Sequence, residues 1–412
     1  MSARAHRPMS AAPRAAGRLR RALALCLLLT VTPPVLPAPA GGAAPLDVLR
    51  GGGSAAGFAQ VRVPRQFSFP EDYGPHPGYQ HEWWYFTGHL QASDGRRYGF
   101  ELTFFRVGLA PPPSLAAPQT LAPSQATGAA PSAWRARQIY AAHFAITDVS
   151  RGRFHARARY ARDALGLAGA RTDPWRVWLG GWSVGAEPEP RSPPQAPGPW
   201  TLRAADEAYA LSLQLTPLGP AMLNGDAGLS IKADAPGAAS YYYSLPRIAV
   251  RGQLSVAGVA QAVTGRAWLD REWGSGGLGP REQGWDWFAV QLADGSALMF
   301  YALRNRDGSL DPHSAGTWMA PDGHTRPLAL ADVELQVLGH WVSPRGARYP
   351  AGWHLRVSAL GIDLQLHPAL ANQELDTAPR YWEGAVEVRG TRAAQPVRGE
   401  GYVELVGYDS SP

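Results

Sequence analysis

A succession of short apolar runs, broken by turn signals, constrains this fold more than any other feature of the sequence. From Phe58 onward, runs rich in Val, Leu, Trp, Tyr and Phe are interrupted about every ten residues. Asp94-Gly95 separates the runs His81–Ala92 and Arg97–Gly108, and Asp294-Gly295 separates two later ones. Asp-Gly between alternating runs is a strong signal for a β-hairpin. Because no segment shows a long helical stripe with caps at both ends, the sequence predicts an all-β fold.

Three stretches depart from this regular pattern. Residues 328–337 could form one short helix or one strand, because periodicity cannot decide between them in so short a run. Residues 110–132 and 186–199 are rich in Pro and Ala and have little to bury. We expect those two stretches to be long surface loops or locally disordered.

The chain is also long enough for more than one domain. A boundary is most plausible near residues 244–252, after three consecutive tyrosines and before a fresh set of strands. This predicts an N-terminal domain over 58–247 and a C-terminal domain over 248–412. Each would suit one β-barrel or sandwich.

The charge distribution points to an export signal. The formal net charge is +6, from 39 Lys+Arg and 33 Asp+Glu. Six arginines and no acidic residue lie in the first 40 residues, so the remainder is neutral (+6 − 6 = 0): Arg4, Arg7, Arg14, Arg18, Arg20 and Arg21. The apolar run 22–31 and the small residues Ala38-Pro39-Ala40 complete a Sec-type signal peptide, and 41–57 would be a linker. We expect a periplasmic or secreted protein without a transmembrane segment in its mature chain, although membrane contact stays open.

Composition excludes several kinds of chemistry. The single cysteine, Cys26, lies inside the apolar run of the signal, which leaves no thiol for disulfides, zinc–cysteine sites or a cysteine nucleophile. Lys232 is the only lysine, which nearly excludes Schiff-base and Walker-type lysine chemistry. A neutral mature chain argues against nucleic acid as a partner, despite 15 tryptophans. No glycine loop suited to phosphate opens a helix, and we expect neither a cofactor nor a metal.

The densest aromatic segment is 81–90, HEWWYFTGHL. Strand alternation places Glu82 and Trp84 on one face and His81 and Tyr85 on the other. A carboxylate among large aromatics either pairs with a cation or has its pKa raised by desolvation, which would make it a proton donor. Glu82 is therefore either a functional acid or half of a Glu–Arg pair in a barrel core.

The most site-like segment is 264–294. Trp268, Asp270 and Glu272 alternate onto one face, and two acids so close tend to share one proton. The glycine-rich residues 274–279 could form a pocket rim, and Trp285 begins the next strand. The alternative is a hairpin whose acids pair with arginine: Arg266, Arg271 or Arg304.

Three further motifs favour structural roles. Glu383 adjoins Trp382 in the segment YWEGAVEV, and His143 lies in an alternating run, where a lone histidine is usually a satisfied core residue. Ser183 fits the G-x-S-x-G nucleophile pattern, but that pattern needs a helix after the serine. The proline-rich stretch that follows cannot begin one.

Taken together, the aromatic segments resemble the AttH/CrtC-like family of exported proteins, described as predicted secreted hydrolases or carotenoid 1,2-hydratase-like proteins. The matching segments run in order from residue 81 to residue 390: HEWWYFTGHL, RRYGFELTFFR, IYAAHFAITDV, TGRAWLDREWGS, GWDWFAVQLADG and YWEGAVEVRG. The resemblance covers about residues 69–408. It implies two lipocalin-like antiparallel β-barrels packed together. Members are also associated with genes beside ABC-type export systems, which suggests transporter components as partners.

The resemblance assigns a role to one acid. In the hydratases of this family an aspartate is thought to protonate a carbon–carbon double bond, and the matching residue here is Asp270. In those hydratases, histidine and asparagine flank the tryptophan of the pattern. This chain departs from that branch, because it has Arg271 and Glu272 there. Arg271 could instead pair with a neighbouring carboxylate and keep it ionised.

Adding water to an alkene requires a positioned acid, a wall that tolerates a carbocation and one controlled water. Asp270 with Glu272 would supply the proton, and Glu82 or His143 would orient the water. The expected wall consists of aromatic side chains: Trp84, Tyr85, Trp268, Trp273, Trp285 and Trp382.

Ester or lactone hydrolysis would use the same site, with Arg304 or a backbone amide of 274–277 as oxyanion donor. The competing hypothesis is a carrier that binds a small apolar molecule, a lipid or isoprenoid, without chemistry.

Overall fold

A computed structural model describes residues 55–113, 136–186 and 199–408, which belong to one compact unit. The predicted signal peptide, the linker up to residue 54 and most of the stretches 110–132 and 186–199 lie outside the described residues. Within those ranges the chain forms antiparallel strands and short 3-10 helices, with no α-helix. The prediction of an all-β fold is confirmed.

The first 13 strands form one sheet, called the barrel sheet here, which curls into a nearly closed barrel. Its strands are β1 His81–Ala92, β2 Arg97–Gly108, β3 Gln138–Asp148, β4 Arg153–Arg162, β5 Ala168–Thr172, β6 Trp175–Leu179, β7 Trp182–Ala186, β8 Trp200–Ala205, β9 Tyr209–Pro217, β10 Met222–Leu223, β11 Leu229–Ile231, β12 Ala239–Val256 and β13 Val259–Gly274. Their order is β4-β3-β2-β1-β13-β12-β9-β8-β7-β6-β5, and β10 and β11 pair with β12. The pairing of β1 with β13 brings the two most aromatic segments of the sequence side by side.

The later strands form a 10-stranded sheet, called the half-barrel sheet here, and one separate ribbon. The sheet contains β14 Glu282–Leu292, β15 Ala297–Asn305, β16 Ala315–Met319, β17 Thr325–Ala329, β18 Glu334–Val337, β21 Trp353–Val357, β22 Ile362–Pro368, β23 Glu374–Leu375, β24 Tyr381–Arg392 and β25 Gln395–Val406. The ribbon pairs β19 His340–Val342 with β20 Arg348–Pro350. The 3-10 helices are Glu71–Tyr73, Val149–Arg151, Leu330–Asp332 and Ser358–Leu360. Residues 328–337 therefore contain a strand end, a 3-10 turn and a second strand.

The Asp-Gly signals mark turns as predicted. Asp94-Gly95 joins β1 to β2, and Asp294-Gly295 joins β14 to β15. Gly95 and Gly295 have φ angles of 85° and 87°, a left-handed conformation that glycine adopts without the clash a Cβ would cause. The proposed boundary between residues 247 and 248 falls inside β12, whereas the chain passes from one sheet to the other between Gly274 and Glu282. The division into two domains stays a prediction.

Strand alternation sorts the apolar side chains into three main clusters. One fills the barrel interior and includes Trp84 and Trp200, and a second lies within the half-barrel sheet and includes Trp353. A third contains Tyr85 and Trp287 and joins residues of both sheets. The two sheets therefore pack against each other through their own aromatic core, and this core surrounds the candidate site. In the described residues no helix is long and apolar enough to cross a membrane.

Candidate active site between the two sheets

Each sheet presents a row of side chains to the other sheet. In the barrel sheet, cross-strand register aligns His143, Thr103, Tyr85, Asp270 and Ser244. In the half-barrel sheet, it aligns Glu383, Glu404, Trp287 and Tyr301. Directly opposite residues of an antiparallel pair share a face, so each row forms a continuous strip across its sheet.

A cavity of about 120 Å³ lies between these rows. Its walls include Asp270 and Glu272 from the barrel sheet and Trp285 and Glu404 from the half-barrel sheet. Residues 276–278, in the segment that joins the two sheets, also line it. The glycine-rich segment thus borders the cavity, as its sequence suggested.

Asp270 lies at the centre of a network of neutral hydrogen-bond donors. Ser244 Oγ and Trp268 Nε1 donate to Asp270 Oδ1 at 2.5 and 2.7 Å. Tyr242 OH donates to Oδ2 at 2.8 Å and itself accepts from Trp287 Nε1 at 2.9 Å. Each of these contacts orients the carboxyl group without bringing a formal charge.

The surroundings of Asp270 therefore favour its acid form. Burial raises the pKa of this carboxyl to about 7, against the opposing effect of its three hydrogen bonds. In the described part of the chain, no Arg, Lys or His side chain forms an ion pair with Asp270. A carboxyl with such a pKa is protonated in a large share of molecules at neutral pH and can donate that proton into the cavity.

Glu272 shares the cavity face with Asp270 but has a cationic partner. Lys232 Nζ lies 3.1 Å from Glu272 Oε1 and 3.9 Å from the centre of the Tyr301 ring. Ser240 Oγ and Trp83 Nε1 also donate to Glu272, at 2.5 and 3.3 Å. Glu272 therefore has a cationic partner that Asp270 lacks, so the two acids lie in different environments.

Glu82 does not join this cavity, because it points into the barrel interior. Its carboxylate is fully buried and accepts hydrogen bonds from Arg106 Nε at 2.8 Å and Arg271 Nη2 at 2.7 Å. His76 Nδ1 lies 2.7 Å from the same carboxylate. Burial alone would raise the pKa of Glu82, but Arg271 and Arg106 hold it well below its usual range. The catalytic interpretation of Glu82 does not fit this geometry, and the Glu–Arg core pair does. Trp84 lies on the same inner face, with the Arg271 guanidinium 4.2 Å from its ring centre.

Arg271 therefore forms its ion pair with Glu82, on the sheet face opposite Asp270. It does not hold Asp270 in the ionised form, the effect that its position in the sequence left open.

Two other expected site residues also lie elsewhere. Arg304 donates from Nε to Asp286 at 2.8 Å and from Nη2 to the carbonyl of Val406, so it is not an oxyanion donor in this cavity. Trp382 packs inside the half-barrel sheet and donates to the carbonyl of Ala371 at 2.9 Å.

The remaining expected aromatic residues do border the site. Tyr85, Trp273 and Trp285 line the cavity, and Trp268 is linked to it through its hydrogen bond to Asp270. The Trp273 ring stacks on His76 from the barrel side, with ring centres 3.8 Å apart.

His143 lies one hydrogen bond behind the cavity wall. Its Nδ1 is 2.7 Å from the hydroxyl of Tyr381, which lines the cavity and also donates to Glu101 Oε1 at 3.2 Å. Burial lowers the pKa of His143 to about 4, so the ring is neutral at neutral pH. His143 therefore contacts the site through Tyr381 rather than directly.

Several residues of the site escaped sequence reasoning. Ser244 begins the stretch interpreted as a domain boundary and Tyr242 lies just before it, although alternation along β12 places both on one face with Ser240. Lys232 stands out in the sequence only as an isolated lysine, and no pattern in the sequence singles out Glu404. The missing information was which strands pair, because β12 meets β13 and β25 meets β14 only in the folded sheets.

Comparison with known proteins identifies the family. A family model described as AttH-like matches residues 60–408. The chain belongs to the AttH-like family. No curated protein matches the sequence.

Two solved structures place this AttH-like fold among its relatives. A protein of Nitrosomonas europaea assigned to AttH is 35% identical, with a TM-score of 0.71, and the match covers 85% of this chain and 100% of that one. Kievitone hydratase from Nectria haematococca is 16% identical, with a TM-score of 0.63, covering 86% of this chain and 98% of its own. At that identity the second likeness shows a shared fold alone.

Proposed function

We propose that this AttH-like protein is a hydratase-type enzyme in which Asp270 protonates an apolar, unsaturated substrate. The observation that carries the proposal is the environment of Asp270, a buried carboxyl held by neutral donors in a cavity with aromatic walls. Kievitone hydratase shares the fold and is by its name a hydratase, which supports the reaction class.

The chemistry requires one proton and one water. The Asp270 proton adds to one alkene carbon, the π bond breaks, and positive charge develops on the other carbon. Trp285 and Trp287 line the cavity, and an aromatic ring face next to such a charge stabilises it. The oxygen of water then attacks this carbon and releases a proton, so that H and OH are added across the double bond and the acid can be restored.

The size of the cavity favours chemistry over transport. An apolar cavity of about 150 Å³ holds a molecule such as benzene, so about 120 Å³ accommodates one ring or the branched end of a chain. A carrier must bury most of its lipid, and pockets that do so typically enclose about 300–1,000 Å³. We infer that the reacting end of the substrate enters between the sheets.

The alternatives have less support from the residues present. Hydrolysis of an ester would need an oxyanion donor. Arg304 is already engaged by Asp286 and Val406, which leaves the backbone amides of Gly276 and Gly277 at the cavity wall for that role. Export through the N-terminal signal and contact with ABC-type transporter components remain part of the proposal, and both depend on the sequence and the family resemblance.

The test uses labelled water. Purified protein is incubated with an apolar extract of the source cells in H₂¹⁸O, and mass spectrometry searches for compounds that gain one labelled water. We expect such a product with wild type and a loss of about 100- to 10,000-fold in rate with Asp270→Asn, which removes the acid but keeps the shape. Asp226→Asn, at an exposed aspartate outside the cavity, serves as the control.

Two results would overturn this proposal. One is the same labelled product formed at the same rate by Asp270→Asn. The other is an unaltered apolar molecule that co-purifies in equal amounts with wild type and Asp270→Asn, without any labelled product, which would identify a carrier.

A further inference from the structure

The wall opposite Asp270 carries a second set of acids. Glu404 lines the cavity from β25, and Glu383 on β24 lies directly opposite it in cross-strand register. Side chains at such positions share a face with Cβ atoms about 5 Å apart. Glu101, fully buried on β2, lies behind the same region and is bonded by Tyr381.

These acids have neutral partners. Trp285 Nε1 donates to Glu404 Oε1 at 2.7 Å, and Tyr85 OH donates to Glu383 Oε1 at 2.5 Å. In the described residues, neither Glu404 nor Glu383 forms an ion pair, and Oε2 of Glu383 has no hydrogen-bond partner. Among the described residues, the charged or titratable groups around Glu404 and its cavity include Glu383, Glu101, Asp270, Glu272 with its partner Lys232, His81, Tyr85, Tyr242, Tyr301 and Tyr381.

Two adjacent carboxyl groups without a cation cannot both be ionised in a buried site, so the pair holds a proton at neutral pH. Burial and the neighbouring acids raise the pKa of Glu383 well above its usual range, and burial raises the pKa of Glu404 to about 8. Glu383 is the more buried of the two and is the natural holder of the proton. Glu404 faces the cavity, and the share of molecules in which it is ionised, which grows as the pH rises towards 8, can accept a proton from the cavity contents.

We propose that Glu404 is the second catalytic residue of the cavity, the group that accepts the proton of the attacking water, with Glu383 as its positioning and proton-sharing partner. This inference depends on the proposed hydration. It also places the two proton-exchanging groups on opposite walls, with the substrate between them.

The proposed step balances in atoms and charge. The proton of Asp270 forms a C–H bond as the π bond breaks, which leaves Asp270 as a carboxylate. The water oxygen forms the C–O bond, and its released proton passes to the Glu404 carboxylate. Transfer of that proton from Glu404 back to Asp270, after the product leaves, restores both groups.

The first experiment needs no substrate. Infrared spectra across a titration from about pH 5 to about pH 9 record the carbonyl bands of protonated carboxyl groups. We expect Glu404→Gln to remove one titrating band and to shift the titration of Glu383, and Glu383→Gln to shift that of Glu404 to lower pH. Glu400→Gln, on the same strand but outside the cavity, is the matched control and leaves the bands unchanged. If Glu404→Gln behaves like this control, the proton-sharing pair is overturned, whatever reaction the protein performs.

The second experiment measures the pH profile of turnover with the labelled product described above. We expect Glu404→Gln to lower kcat by about 100-fold or more and to remove the acidic limb, because the base must be ionised to act. Asp270→Asn removes the alkaline limb, because the acid must be protonated. If Asp270→Asn is inactive while Glu404→Gln keeps the wild-type rate and profile, hydration stands and this inference falls. If both variants match wild type, the hydration proposal itself falls.

Discussion

Glu82 and Asp270 are both buried carboxyl groups of the barrel sheet, yet their pKa values shift in opposite directions. Glu82 faces the two guanidinium groups of Arg106 and Arg271, which hold its pKa low. Asp270 faces a serine, a tryptophan and a tyrosine, and burial raises its pKa to about 7. The same residue class is therefore a structural anion on one face of the sheet and, in the proposed reaction, the proton donor on the other.

Removing the charge of Glu82 should be costly. Glu82→Gln leaves Arg106 and Arg271 buried without their anion, and breaking a buried pair typically costs about 3–5 kcal/mol. We expect the free energy of unfolding, measured by urea denaturation at neutral pH, to fall by about that amount. Glu334→Gln removes an exposed pair with Arg356 and should change it by less than about 1 kcal/mol. Equal effects of the two substitutions would contradict the structural assignment of Glu82.

At the scale of elements, strand alternation places the core side chains and the cavity side chains on opposite faces of the same strands. On β1, Glu82 and Trp84 enter the barrel interior, whereas Tyr85 faces the half-barrel sheet. On β13, Arg271 points inward and Asp270 outward, so each strand contributes to both the barrel core and the cavity. A shift of one residue in the register would exchange these faces.

Close packing between the sheets predicts a sensitive glycine. A Cβ on Gly99 of β2 would lie 2.7 Å from Ala385 Cβ and 2.7 Å from the hydroxyl of Tyr402, both in the half-barrel sheet. Gly99→Ala should therefore push the sheets apart and lower the free energy of unfolding by about 1–3 kcal/mol.

The matched control for that substitution is Gly181→Ala, where a Cβ would meet nothing within 4 Å. Thermal unfolding of the two variants tests the contrast. A melting temperature for Gly99→Ala equal to that of Gly181→Ala would show that the sheets can separate locally at no cost.

At the scale of the whole molecule, the cavity and its acids exist only where the two sheets meet. Tyr85 of the barrel sheet donates to Glu383 of the half-barrel sheet, and Trp287 of the half-barrel sheet donates to Tyr242 of the barrel sheet. Because these hydrogen bonds cross the interface, the protonation of the site depends on how the two sheets pack.

The raised pKa values predict an unusual pH dependence of stability. Burial raises the pKa of Glu101 to about 7 and that of Glu404 to about 8, so the folded protein retains protons that the unfolded chain releases above about pH 4.5. Stability contributed by these groups is present at low pH and is lost as the pH rises from about 4.5 to about 8. Glu82, with its lowered pKa, contributes stability that is lost only in acid below about pH 4.

Urea denaturation at a series of pH values measures this slope. Glu101→Gln removes one of the groups that must release a proton, so its stability should decline less steeply than that of wild type over the same range. Glu400→Gln again provides the control. Identical slopes for wild type and Glu101→Gln would show that folding does not raise the pKa of Glu101.

The sequence by itself determined the strands, the hairpins, the two faces of β1 and β13 and the family, because alternation and turn chemistry are local. It also singled out Asp270, on the strength of the family resemblance. Only the tertiary structure decided which acid meets a cation. Glu82 and Asp270 look alike in sequence, since each lies next to or near tryptophan in a strand. Arg271, however, pairs with Glu82 across 189 residues of chain, and Glu404 shares a cavity with Asp270 only because the two sheets pack together. A carboxyl group responds to charges within a few ångströms, and strand pairing, which no local pattern encodes, determines what lies within that distance.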